Sequence, residues 1–340
     1  MSIPSSENPN EYPWLRQAWQ SLVSYMAVGR IPHALLLHGP HGLGKSVLAR
    51  TYARRLLCTM PTDLACGTCT SCLLFEASTH PDFKWIAPEE AGKSIKIDAI
   101  RRLINDLSLK SQYDGYRLVV IDSAHSMNTS AANALLKTLE EPADRTVIIL
   151  LSDRAADLPA TILSRCQKLS ILLPALAVTR AWLMLLRPGC AADALLATAG
   201  GSPLAALAIC DEDDAAVGRR LAFLSDFCSL LEGREDPVTL AEKWTALNVD
   251  ELLDWLTSWL IDLMRLVSAP GYKLLRNPDL AEDMRRTAAR LDSGSVSNYW
   301  AQVLQSRRAV AGQANRHLLL EGLLIQASEL GRSQQLQMNV

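Results

Sequence analysis

Residues 39–46 read GPHGLGKS, with glycine at 39, 42 and 44, a lysine at 45 and a hydroxyl at 46. The run fits G-x-x-x-x-G-K-[ST] at each fixed position. In such a loop the glycines let backbone N–H groups close on phosphate oxygens, and the helix that follows adds the positive end of its dipole. Lys45 would neutralise β- and γ-phosphate oxygens, and Ser46 would ligate the magnesium that accompanies ATP. The second acid on the magnesium side belongs at the tip of a neighbouring strand, and Asp122 closes the apolar run LVVI at 118–121. A ligand-free glycine turn and an ordinary strand-end aspartate are the bland alternatives. Ser123 follows Asp122, where many ATPases of this type carry a glutamate that orients the attacking water. A serine hydroxyl does not polarise water as a carboxylate does, so binding is easier to defend than hydrolysis.

A second group of reactive side chains lies in CTMPTDLACGTCTSC, residues 58–72. Two overlapping C-x-x-C steps bring Cys66, Cys69 and Cys72 round one turn. Cys58 would complete a tetrahedron for zinc, with His80 the rival fourth ligand. Four protein ligands leave no open position for water, so the role is structural, contributing on the order of 10 kcal/mol to a small loop-rich insert. The chain has eight cysteines. Its first residues, MSIPSSENPNEY, lack the basic and apolar regions of an export signal, which points to thiols or a metal site and not to disulfides.

The elements that must carry these residues alternate in kind. HALLLHG (33–39), FKWI (83–86), RLVVID (117–122), TVIILLS (146–152) and KLSILL (168–173) read as strands. Helical spacing follows Lys45 to about Leu57, and recurs at 97–110 and through NTSAANALLKTLEE before Pro142. This rhythm implies a parallel α/β sheet covered on both faces. After Pro174 the strands stop. Residues 175–210 read as short helices broken at GGSP (200–203), DEDDAAVG (211–218) as a linker, and 219 to about 332 as helical throughout. The expected division is 1–173 for the α/β domain with its cysteine insert, 174–212 for a small helical domain and 213–340 for an all-α domain. In ELLDWLTSWLIDLMRLV, Leu252, Trp255, Leu256, Trp259, Leu263 and Leu266 form one broad apolar face, read as core or subunit interface.

Composition narrows the partners. Of 340 residues, 49% are apolar and 21% charged, with 34 lysines and arginines against 36 acids. A net charge of −2 argues against a chain that wraps nucleic acid alone. Arg101 and Arg102 are read as a solvated helix face before a contact to duplex phosphates. No apolar run reaches the length of a membrane span, and a cytoplasmic location is expected.

The runs IPHALLLHGPHGLGKS, the cysteine insert, HPDF (80–83), LVVIDSAHSMN, SAANALLKTLEEP (130–142) and TILSRCQ (161–167) follow one another in the order seen in bacterial clamp-loader subunits of the AAA+ class. Within that family the chain resembles the delta-prime subunits of DNA polymerase III most. The resemblance implies an AAA+ nucleotide-binding domain, a small helical lid and a helical collar. The collar would join this subunit to gamma/tau-like motor subunits and a delta-like wrench in a pentameric ring, which opens the sliding clamp and places it on primer–template DNA. It also implies that Arg165, in Ser164-Arg165-Cys166, is an arginine finger for the ATP site of a neighbouring subunit, a role worth about 10³ to 10⁵ in rate in related chemistry. An arginine that merely pairs with an internal carboxylate is the alternative.

Two departures separate the chain from the motor pattern. Ser123 replaces the water-orienting glutamate, and in GSPLAAL (201–207) Leu204 stands where motor subunits carry the arginine that senses the γ-phosphate. Ser152 still fits the polar sensor at a strand tip. The implied subunit is stator-like: it holds ATP, turns it over poorly and lends Arg165 to a neighbour. The rival readings are a motor subunit, a free-standing P-loop ATPase or kinase, and a zinc-stabilised nucleic-acid binder. No acid constellation suited to polymerase or nuclease chemistry is present.

Overall fold

The computed structural model describes residues 8–90, 93–107, 115–212, 215–311 and 315–335. The chain forms two compact units, Met1–Ala175 and Leu176–Val340.

The first unit is a parallel α/β sheet. Its elements are α1 (Arg16–Ala27), β1 (Ala34–His38), α2 (Lys45–Leu57), α3 (Thr70–Glu76), β2 (Phe83–Ile86), α4 (Ile97–Leu107), β3 (Arg117–Ile121), α5 (Thr129–Glu140), β4 (Thr146–Ser152), α6 (Ala160–Leu163) and β5 (Gln167–Ser170). The expected helix at 97–110 runs to Leu107, and residues 108–110 lie outside the described part. Strand order is β2-β3-β4-β1-β5, with every described pairing parallel.

Burial explains the order. The central strands β3 and β4 are buried at every residue and β1 at all but His38, as near-continuous Leu, Ile and Val runs require. The edge strands β2 and β5 are only partly buried. Leu36, Val119, Ile121, Ile148 and Leu150 pack with Ile100, Leu103 and Leu107 of α4 and Leu135 and Leu139 of α5. The alternate residues Leu35, Leu37, Val120, Ile149 and Leu151 are equally inaccessible, so both faces are covered. Each such side chain contributes about 1.5–3 kcal/mol. The last strand is shorter than KLSILL suggests. Ile171 N still donates to His38 O at 2.8 Å, but Leu172 and Leu173 are exposed, and Pro174 follows without an amide to pair.

The second unit is helical: α7 (Leu176–Leu186), α8 (Ala192–Thr198), α9 (Pro203–Glu212), α10 (Ala215–Leu231), α11 (Pro237–Thr245), α12 (Val249–Ser268), α13 (Ala281–Ala288), α14 (Ser293–Ala311) and α15 (Arg316–Gln335). Of the expected linker at 211–218, residues 213 and 214 lie outside the described part, and helix occupies the rest. Asn248 caps α12 with its side chain, and Asp236 caps α11 ahead of Pro237. The broad face of α12 is core: Leu252, Trp255, Leu256, Trp259, Leu263 and Leu266 are buried with Phe223, Phe227 and Trp244. The Phe223 and Trp244 rings lie 3.9 Å apart by centroid, and Trp255 Nε1 donates to Thr198 O at 3.0 Å.

A buried polar network crosses this core. Fully buried Arg220 donates to Asp279 Oδ2 and Asn277 Oδ1, both at 2.6 Å. Fully buried Asp262 accepts from the backbone N–H groups of Arg276 (2.9 Å) and Asn277 (2.8 Å) and from Asn277 Nδ2 (2.8 Å). No single helix among the described residues is long and apolar enough to cross a membrane.

Candidate functional site: a phosphate loop, a cysteine cluster and a paired arginine

The loop GPHGLGKS leaves the carboxyl end of β1, where open parallel sheets place their ligands. Parallel pairing sets His38 opposite Ser152 of β4 and Ser170 of β5, so the loop opens between two strand tips. Gly39 N donates to Ser152 O at 3.2 Å. Gly39 has φ +152°, and an added Cβ would stand 2.1 Å from the backbone oxygen of Ile171, so only glycine fits. Gly42 also has positive φ, and Gly44, at φ 84°, turns the chain into α2 from the left-handed region. Trp14 Nε1 braces the loop through Leu43 O at 2.9 Å.

Lys45 begins α2 with its side chain only 6% exposed. Its ammonium donates to Gly39 O at 2.7 Å and Pro40 O at 2.6 Å, and pairs with Asp153 Oδ1 at 2.6 Å. The other oxygen of Asp153 lies 3.2 Å from His41 Nδ1. Burial alone would raise the Asp153 pKa, but the His41 hydrogen bond and Lys45 pull it down to about 2. His41 is shifted up, first by that same bond to Asp153.

Asp122 stands at the tip of β3, its pKa raised by burial and further by the nearby Asp153 carboxylate. Ser123 adopts φ 52°, ψ 44°, a left-handed conformation uncommon outside glycine, and opens the turn Ala124–Ser126. Ser152 is buried; its hydroxyl accepts from Arg154 N at 3.2 Å and lies 3.4 Å from His125 Nδ1. The sheet thus gathers Gly39, Gly42, Gly44, Lys45, Ser46, Asp122 and Ser152 at one end. Motif reading misses two members of the constellation, His41 and Asp153. The available signal is an acid directly after the strand-end Ser152.

The sulfurs of Cys58, Cys66, Cys69 and Cys72 all lie within 4.8 Å of one another. Cys58 caps the end of α2 and Cys69 caps the start of α3, so two helix ends hold the cluster. Cys58 and Cys69 Sγ are 3.9 Å apart, and Cys66 and Cys72 Sγ 4.0 Å. A zinc tetrathiolate with bonds of about 2.3 Å has edges of about 3.8 Å, so the donor set fits that ion. Backbone N–H groups of Cys66, Cys69 and Cys72 point at Sγ of Cys58, Cys66 and Cys69 at 3.3–3.4 Å, which favours thiolates. Accordingly the Cys66 pKa is lowered, chiefly by backbone hydrogen bonds, whereas burial pushes Cys72 up to about 12.

His80 is not in the cluster. Its Nδ1 accepts from Asp82 N at 3.1 Å, and its Nε2 meets Ser71 Oγ at 2.9 Å. Ser71 in turn donates to Leu57 O at 2.7 Å. Both ring nitrogens of this buried histidine are thus occupied, Nε2 linking through Ser71 to the end of α2 and Nδ1 holding the turn before β2.

Arg165 follows α6 with its side chain one-third exposed. Its Nε donates to Glu140 Oε1 at 2.7 Å, its second terminal nitrogen reaches the same oxygen, and Nη1 donates to Thr161 O at 2.8 Å. An internal carboxylate does hold this arginine, as the bland alternative supposed. A pair this open to water contributes only about 0–1 kcal/mol, so an outside anion has little to overcome. Arg101 and Arg102 are exposed on α4, within reach of Asp98 side-chain and backbone oxygens at 4.0 and 3.4 Å.

The family described as "DNA polymerase III, delta subunit" matches residues 14–174, and its C-terminal domain matches residues 214–329. The DNA polymerase III subunit delta' of Pseudomonas aeruginosa is 35% identical over 325 residues, covering 94% of this chain and 98% of that protein. The subunit of the same name from Escherichia coli is 31% identical over 323 residues, covering 92% of this chain and 94% of its own length. The Escherichia coli DNA polymerase III subunit tau is 35% identical over 147 residues, which is 43% of this chain and 22% of that protein. With a phosphate-loop sheet, a helical C-terminal unit and relatives aligned nearly end to end, the chain belongs to the delta-prime subunit family of DNA polymerase III.

Proposed function

We propose that the chain is a stator-like clamp-loader subunit acting in the cytoplasm. Together with gamma/tau-like motor subunits and a delta-like wrench it forms a pentameric ring that loads the sliding clamp onto primer–template DNA. The observation that carries this reading is the near full-length kinship with delta' subunits. Residues 174–212, which include α7–α9, act as the lid and residues 213–340 as the collar.

In this reading the loop from Gly39 through Gly42 and Gly44 cradles phosphates, Lys45 neutralises them, Ser152 senses them, and Ser46 with Asp122 holds magnesium. Bound ATP·Mg would stiffen the loop, and no efficient turnover is expected. Ser123 offers no carboxylate to orient water, and Leu204 offers no positive charge to the γ-phosphate. Cys58, Cys66, Cys69 and Cys72 hold a structural zinc. Arg165 leaves Glu140 and turns to the ATP of a neighbouring motor subunit, where its charge matches the transferring phosphoryl group.

The test has two arms. ATP binding and single-turnover hydrolysis of the isolated chain are measured beside Lys45→Ala; binding without turnover, lost in the variant, is expected. In the reconstituted ring, Arg165→Ala should leave this chain's own binding unchanged and lower hydrolysis at the one adjoining motor site at least 100-fold, read by single turnover in a ring whose other motor sites are inactivated. Steady hydrolysis by the isolated chain, abolished by Lys45→Ala, would replace the stator with a motor.

A further inference from the structure

Asp153 is assigned no task by the phosphate-loop pattern, yet it makes the closest charged contact in the loop. Its two oxygens divide between the loop's two basic side chains, Oδ1 2.6 Å from Lys45 Nζ and Oδ2 3.2 Å from His41 Nδ1. An ammonium has three N–H donors. Those of Lys45 go to Gly39 O, Pro40 O and Asp153. A phosphate oxygen arriving at the loop therefore meets no spare donor on the lysine meant to receive it. It also meets two acids, because Asp122 and Asp153 lie close enough to raise the pKa of Asp122.

The position of Asp153 is imposed by the sheet. His38 and Ser152 are register partners across β1 and β4, so the residue after Ser152 emerges beside the loop that follows His38. The side chain of Asp153 is 27% exposed and that of His41 70%, whereas Lys45 is 6% exposed. The carboxylate thus has a path to water that the lysine lacks, and it is the partner free to move.

We propose that Asp153 is an internal anion standing in the phosphate position of the loop, so that ATP binds weakly and only as Asp153 swings off Lys45. This rests on the reading of GPHGLGKS as a nucleotide site. The retained loop and the missing catalytic groups then have one account. The lysine is kept because it holds the loop closed through an acid of its own chain, and a nucleotide competes with that acid for it.

Equilibrium binding of Mg·ATP and of Mg·tripolyphosphate by the full-length chain tests this. The chains compared are wild type, Asp153→Asn, Asp153→Ser, Lys45→Ala and Asp153→Asn combined with Lys45→Ala. Asp153→Asn keeps the shape and removes the charge, and Asp153→Ser guards against an amide that binds Lys45 equally well. Thermal unfolding without ligand confirms that each variant is folded. Both single Asp153 variants are expected to bind both probes at least ten-fold tighter than wild type, with the gain lost in the double variant. If wild type binds ATP and the Asp153 variants bind it equally or more weakly, the internal-anion proposal is overturned while the nucleotide site stands; Asp153 is then a ligand-side group. A gain that survives Lys45→Ala overturns it too, since the effect would not pass through the lysine. If no chain binds either probe at millimolar concentration, the nucleotide-site reading falls and the proposal with it.

Discussion

Asp153 and Lys45 form a partly buried ion pair whose worth depends on pH. The carboxyl sits at about 2 against an ordinary 3.8, so folding is stabilised wherever the unfolded chain has already lost that proton. The contribution is fully present above about pH 4 and disappears as pH falls toward 2. Its size is about 2 kcal/mol. Urea unfolding of wild type and Asp153→Asn should therefore differ by that order at pH 7 and converge only as pH falls to about 2 and below. A gap that is constant with pH would deny the carboxylate its charge role. Gly39 makes a separate demand. Gly39→Ala forces a methyl to within 2.1 Å of Ile171 O at a positive φ. It should cost about 2 kcal/mol or more and abolish ATP binding together with the loop's shape. An alanine variant of wild-type stability would mean that β5 gives way freely.

The phosphate loop is legible in sequence because its residues are consecutive, and the loop carries its own geometry in three glycines. Asp153 and His41 escape the same reading because they are 112 residues apart, joined only through the register of β1 and β4. Glu140 and Arg165, 25 residues apart, are likewise joined by packing and not by spacing.

Among the elements, the strands were the most readable, since a strand buried on both faces must be an unbroken apolar run. FKWI and TVIILLS occupy the spans their composition suggests. Three helices of the first unit carry no sequence signal read above, the four-residue α6 being a single turn too short to show a period. In α1 only Ala18, Trp19 and Leu22 are buried, too few to print a clear period. The seven-residue α3 begins inside the cysteine run, where the C-x-x-C steps read as turns. That helix is also where the zinc proposal is tested. Cys58→Ser should lower bound zinc from one per chain to well below one, and chelation of wild type should expose residues 58–76 to protease while α12 stays protected. Full zinc retention by Cys58→Ser would show that the tetrahedron closes without it. His80→Ala, by contrast, should leave zinc content unchanged and loosen only the hold on Ser71.

At the scale of the whole molecule, each unit has a core of its own, so damage to one need not reach the other. The second unit is organised around α12 and around Asp262, whose fully buried carboxylate satisfies two backbone amides and the Asn277 side chain. Asp262→Ala strands those donors and should destabilise this unit by about 3 kcal/mol. Calorimetry should show a lowered transition for the helical unit with that of the first unit unaltered; a shift of both would mean that the two units share one folding transition. The helical stripe of α12 made its core legible. The Arg220–Asn277–Asp262 network was not, because lone polar residues 57 and 15 positions apart carry no periodic mark.

Helix α5 runs for 12 residues from Thr129 to Glu140, a rod of about 18 Å. Its amino end is capped by Asn128, just past the Ala124–Ser126 turn that follows Asp122, and its carboxyl end holds Arg165 through Glu140. A stiff rod between two such points transmits displacement instead of absorbing it. Movement of the turn beside the phosphate loop would arrive at the guanidinium as a shift of comparable size, and a tug on the guanidinium would travel back. Under the stator role proposed above, α5 would serve as a relay between the loop and the guanidinium.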